Sequence, residues 1–118
     1  MEMHEAVMTF SQSEKIKAGL IWMSQTLEIL SGLAGGEKNG AERLISAVLN
    51  MICHETRLAA TVAANGGWRE IEAHIDRALN MVHSGVGPEA TVHLSRALSR
   101  TTTIGQQAML SLKSHGAL

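Results

Sequence analysis

Residues 11–33, SQSEKIKAGLIWMSQTLEILSGL, decide how this chain folds. Within them Ile16, Leu20, Met23, Leu27 and Leu30 recur at alternating spacings of four and three, which keeps a single apolar stripe on one face of an α-helix. Ahead of the stripe, Ser11-Gln12-Ser13-Glu14 reads as a capping box. The Ser11 hydroxyl would accept from the Glu14 amide and the Glu14 carboxylate from the Ser11 amide. A first helix over about Gln12 to Leu33 is therefore predicted, with residues 1–10 as a tail or an extra turn. The same stretch carries a second apolar line, Ala18, Trp22 and Ile29 with Ile21 between, which the first stripe leaves outside.

Working outward, clustered glycines at positions 32–40, 66–67, 85–87 and 116 divide the chain into four segments of helical length. Asn39 with Glu42 repeats the capping signal, so a second helix is predicted from there to Ala64, where Asn65 and Gly66 can turn left-handed and end it. Gly35 to Gly40 then reads as a flexible turn. The stripe expected to face inward is Leu44, Val48, Met51, Leu58 and Val62, supplemented by Ile45, Ile52 and Ala59, with Leu49 outside it. So wide an apolar arc predicts the most buried helix of the set. A third helix over Trp68 to His83 presents Trp68, Ile71, Ile75, Ala78 and Val82. The fourth starts at Gly87-Pro88-Glu89, a proline being acceptable at the first helical position, and faces inward through Ala90, Leu94, Ala97, Thr101, Ile104 and Ala108. Links as short as Asn65–Gly67 and Ser84–Gly87 make neighbours antiparallel. The expectation is an all-α, single-domain, antiparallel up-down-up-down four-helix bundle over residues 11–116.

Composition narrows the function classes. Apolar residues make up 45% of the 118, charged residues 18%, and the net charge is −1, which excludes a disordered chain and a polycation built to neutralise phosphates. No nucleic-acid partner is expected. The longest apolar stretches are interrupted by Ser24, Gln25, Glu28, Asn50, His54, Glu55 and Arg57, so no membrane span is expected either. Cys53 is the single cysteine and has no internal partner, which fits a reducing cytoplasm.

The second helix carries Cys53-His54-Glu55-Thr56-Arg57-Leu58. A helical histidine with an adjacent acid has a chemical use, since the carboxylate can hold one imidazole proton and leave the other nitrogen as nucleophile. The segment resembles the phosphoacceptor box of sensor histidine kinases, although Ala59 stands where that family has a proline. The resemblance implies a histidine phosphotransfer module with His54 as acceptor, Glu55 orienting it and Arg57 beside the phosphoryl group. His93-Leu94-Ser95-Arg96-Ala97 is similar to the box of histidine-containing phosphotransfer domains, with Ser95 in place of a leucine. The structural alternative is that Glu55 lies on the inward stripe with His54 at its flank. A buried carboxylate would then need Arg57, Arg77 or Arg100, or would show a raised pKa.

Glu70 with His74 and Glu89 with His93 are acid–histidine pairs four residues apart, whereas helical-bundle metal sites use a spacing of three. They read as solvated pairs, and no metal or cofactor is expected. His93, Arg96 and Arg100 form a short basic stripe suited to a small acidic partner. The decisive surplus is apolar: Trp22 and Ile29, with Leu49 from the second helix, exceed what one bundle can hide. The expected function is a non-enzymatic protein-binding bundle, as a homodimer or a hetero-complex through Trp22, Ile29 and Leu49. The competing expectation for that surface is that residues 1–10 fold back over it.

Overall fold

A computed structural model describes residues 1–63 and 66–118. They form four α-helices, α1 (Met3–Leu30), α2 (Gly35–Val62), α3 (Gly67–His83) and α4 (Thr91–Ser114), with one 3-10 turn, Gly87–Ala90, leading into α4. There is no strand among the described residues. Each helix packs on the next and α4 returns to α1, giving a closed ring with principal extents of 54 × 22 × 18 Å. No helix among the described residues is long and apolar enough to cross a membrane.

Three of the four inward stripes follow the periodicity. Ile16, Leu20, Met23, Leu27 and Leu30 of α1 are buried, as are Trp68, Ile71, Ile75, Ala78 and Val82 of α3. From the fourth segment Ala90, Leu94, Ala97, Thr101, Ile104 and Ala108 are buried too. Trp68 is fully enclosed, and its indole N–H donates to the Ala63 carbonyl at 2.9 Å, so the one polar atom of the largest core side chain is satisfied.

The start of α1 differs from expectation. The helix begins at Met3 rather than Gln12, because the Glu2 carboxylate accepts from the Glu5 amide at 2.6 Å and caps it there. That hydrogen bond holds the Glu2 carboxyl below its ordinary range. Ala6 and Thr9 give the added turns a buried side, and Ser11 and Glu14, expected as a capping box, lie inside the helix, where the Glu14 carboxylate pairs with Lys17 at 2.8 Å. The expected turn Gly35–Gly40 is likewise helical: Gly35, at φ +59°, lets the chain enter α2 directly. Ala64 and Asn65, expected at the end of the second helix, lie outside the described residues. Gly66 is right-handed at φ −64°, not left-handed as expected.

The largest correction concerns the rotation of α2. Leu44, Met51, Leu58 and Val62 are 71, 63, 50 and 37% exposed, while Ile45, Leu49, Ile52, Cys53, Thr56 and Ala59 point inward. With 6 buried residues of 28 against 7 of 17 in α3, α2 is not the most buried helix. The reason lies at the middle of the two competing stripes. The Leu44–Met51–Leu58 stripe would carry the Glu55 carboxylate into the core, at several kcal/mol for an unpaired charge. The adjacent stripe carries Thr56 instead, whose hydroxyl donates to the Ile52 carbonyl of its own helix at 2.9 Å.

Small residues set the seams. A Cβ at Gly105 of α4 would stand 2.8 Å from Ser13 Oγ of α1, and one at Gly19 of α1 would stand 3.1 Å from Ile52 Cδ1 of α2. Gly105→Leu should push α4 off α1 and cost about 1–3 kcal/mol in urea unfolding. Gly40→Ala, where nothing lies within 4 Å, should stabilise. Its expected gain, from helix propensity alone, is about 0.5–1 kcal/mol.

Candidate functional site

The surface made by α1 and α2 is organised around one ion pair. Lys15 Nζ of α1 lies 3.1 Å from Glu55 Oε2 of α2, and the Gln12 amide donates to the Glu55 backbone carbonyl at 3.3 Å and to Oε2 at 3.4 Å. The pairing partner is thus Lys15, not Arg57, Arg77 or Arg100. The hydrogen bonds from Lys15 and Gln12 hold the Glu55 carboxyl below its ordinary value, not above it as a buried unpaired acid would be. Glu55 is half-buried at the seam, where water still reaches it.

Lys15, Trp22 and Ile29 stand seven residues apart on α1, so the line that begins in contact with α2 continues through the tryptophan and the isoleucine. Trp22 is 66% and Ile29 68% exposed. On α2 the line Leu44, Met51, Leu58 has the same spacing and flanks Val48 and Glu55. The two lines therefore lie on the outer sides of the two helices that Lys15 and Glu55 hold together. Leu49, expected in this face, is fully buried: the rotation that keeps Glu55 at the rim turns Leu49 inward and leaves Leu44, Met51 and Leu58 outside. Those three were legible as apolar and heptad-spaced, but were assigned to the core. Residues 1–10 do not lie over Trp22. From Met3 they continue α1, and the Met1 carbonyl accepts from the Ser111 hydroxyl of α4 at 3.0 Å and lies 2.9 Å from His115 Nε2.

The phosphoacceptor-like residues point three ways. His54 is exposed on the wall of α2. Its neighbouring acid, Glu55, is turned to α1, and Arg57 is paired with Glu72 of α3 through Nε and Oε1. Accessibility is present at His54, whereas the orienting carboxylate and the cation are committed elsewhere.

Two further constellations form between helices. Cys53, Glu72 and Asp76 bring their ligand atoms within 4.8 Å of one another. The Cys53 thiol donates to Asp76 Oδ1 at 3.6 Å, and burial, followed by the Asp76 charge, pushes its pKa up to about 11. With the thiol protonated and Glu72 held by Arg57, the three side chains form a hydrogen-bonded cluster, and a metal would have to displace both the thiol proton and the arginine. Across the other side of α3, His74 stacks on His93 of α4 with centroids 6.4 Å apart and planes at 23°. Glu70, read as the partner of His74, lies instead 3.0 Å from Arg100 Nε. Helical spacing within one segment does not reveal such inter-helix pairs.

The chain matches no protein-family model, no curated protein and no solved structure.

Two outcomes follow from these environments. In the native protein Cys53 should resist a disulfide reagent at about pH 8 and react at once on unfolding. Glu55→Gln should destabilise at neutral pH. A carboxyl held below its ordinary value of 4.5 contributes stability above that value and loses it as pH falls through the native value, so the gap between variant and wild type should close on acidification.

Proposed function

We propose that this is a non-enzymatic helical-bundle protein that works through the outer face of α1 and α2, and that a second copy of the chain covers that face. The carrying observation is the exposed pair of heptad lines, Trp22–Ile29 on α1 and Leu44–Met51–Leu58 on α2, the two helices joined by the Lys15–Glu55 pair. At roughly 200 Å² per large apolar residue these five leave about 600 Å² in water, at the top of what a free monomer carries and near the roughly 800 Å² that each partner gives to a standard interface. A two-fold interface sets a patch against itself, so the patch must not repel its own image. This one meets that condition, since its charged members, Lys15 and Glu55, neutralise each other and the chain's net charge is only −1. Trp22 is the residue type most often found at an interface centre.

The up-down-up-down order belongs to the same proposal. It is supported by pairs that run in opposite directions across each seam: Lys15 with Glu55 and Gly19 with Ile52, Cys53 with Asp76 and Arg57 with Glu72, Glu70 with Arg100 and His74 with His93, and Met1 with Ser111 and Ser13 with Gly105. A cytoplasmic location fits the lone, buried Cys53.

Light scattering should return a mass twice that of the chain at about 100 µM, a concentration that populates interfaces of micromolar affinity. Trp22→Glu and Met51→Glu should each lower the measured mass toward that of one chain, with unchanged helical circular dichroism. Loss of an aromatic anchor costs about 2 kcal/mol or more, roughly 30-fold in Kd. A monomeric wild type would refute the self-association. Incubation with acetyl phosphate should leave His54 unlabelled; an acid-labile label abolished by His54→Gln would transfer the function to phosphotransfer.

A further inference from the structure

We propose that the seam between α3 and α4 binds the phosphate group of a small phosphorylated molecule. A cavity of about 420 Å³ opens there, lined by Glu70 and His74 from α3 and by Arg96, Ser99, Arg100 and Thr103 from α4. The depression is open to solvent and has room for a phosphate group, with any attached organic group left at its mouth.

The charge at this seam is unbalanced. Arg96 and Arg100 line the cavity, Arg77 reaches His74 Nδ1 from below at 3.3 Å, and His93 stacks behind His74. Against these cations stands a single lining carboxylate, Glu70, which lies 3.0 Å from Arg100. Glu89, four residues before His93, is not in the lining. Among the described residues no carboxylate pairs with Arg77 or Arg96. One polar atom at the same seam, His93 Nδ1, is buried without a hydrogen bond, and such orphaned groups are rare in a finished interior. A tetrahedral dianion answers both deficits, because it supplies the missing negative charge and three acceptor oxygens. Guanidinium groups beside the Ser99 hydroxyl are the donors such a group takes. The hydroxyl of Thr103 is already spent on the Ser99 carbonyl at 3.1 Å and adds shape only.

His74 makes the site responsive to pH. Burial, then the positive charges of Arg77, Arg96 and His93, hold its pKa below the ordinary 6.5, and Glu70 only partly opposes them. A bound dianion favours the imidazolium, so binding takes up a proton and tightens as pH falls.

Phenyl phosphate, titrated calorimetrically at fixed ionic strength, should bind saturably to the wild type. Arg96→Gln should weaken it at least about tenfold, the loss expected for one charge-assisted hydrogen bond. Arg69→Gln, an exposed arginine of α3 outside the lining, should leave affinity unchanged. Sulfate, which stays a dianion across the range, should bind more tightly at about pH 6 than at about pH 8, and His74→Gln should flatten that dependence. Equal losses in Arg96→Gln and Arg69→Gln, or no saturation by about 10 mM, would overturn the site. The α3–α4 seam is separate from the α1–α2 face, so Trp22→Glu should bind phenyl phosphate as the wild type does, and either proposal can fail alone.

Discussion

A carboxylate near the middle of a helix constrains which face that helix can bury. In α2 two apolar stripes lie side by side, and Glu55 belongs to one of them. Burying that stripe means removing the charge from water, while burying its neighbour costs only a threonine hydroxyl that its own helix satisfies. The helix turns accordingly, and Glu55 stops at the rim, where Lys15 and Gln12 of α1 hold it. From that rotation follow the buried Leu49 and the exposed Leu44, Met51 and Leu58. The ion pair is exposed enough to be worth little by itself. Its importance lies in the geometry that its burial would have forbidden.

The four seams of the ring then differ in character. Between α1 and α4, Gly105 against Ser13 brings two backbones close, and three of the six buried residues of α4 are small, Ala97, Thr101 and Ala108. Between α2 and α3 the outer contacts are polar and mutually satisfied, with Cys53 on Asp76 and Arg57 on Glu72. The α3–α4 seam is polar and incompletely satisfied, with cations in excess and His93 Nδ1 buried without a partner. The α1–α2 seam carries one solvated ion pair, with exposed apolar lines on its outer side. A bundle whose seams are chemically distinct can present a different kind of partner to each, and here the exposed apolar lines suit a protein and the cationic seam a small anion.

Much of the architecture was legible because helical periodicity reports directly on burial. The stripes of α1, α3 and α4 contain one apolar line each on the inner side, and all their named members are buried. The second helix resisted the same reading because both of its candidate stripes are apolar. What separates them is the cost of Glu55, an energy that depends on which partner arrives from another helix. The start of α1 was hidden for a similar reason. Ser11 and Glu14 have the spacing of a cap, yet Glu2 and the buried Ala6 and Thr9 supply both a cap and a packed side further upstream. On the surface, Trp22 and Ile29 are legible as surplus from α1 alone, whereas the place of Leu49 depends on which stripe of α2 turns inward. The His74–His93 pair and the Cys53 cluster exist only once α3 meets its neighbours. No spacing within one segment encodes them.

The most direct test of the account is iodide quenching of tryptophan fluorescence as the wild-type protein is diluted. Trp68 is enclosed in the core and supplies a fraction that iodide does not reach, so any change reports on Trp22. Protection of the second indole at high concentration, lost on dilution through the dissociation range, is the predicted result. An indole quenched equally at every concentration would show that the α1–α2 face stays in water, and would contradict the claim that a second copy covers it.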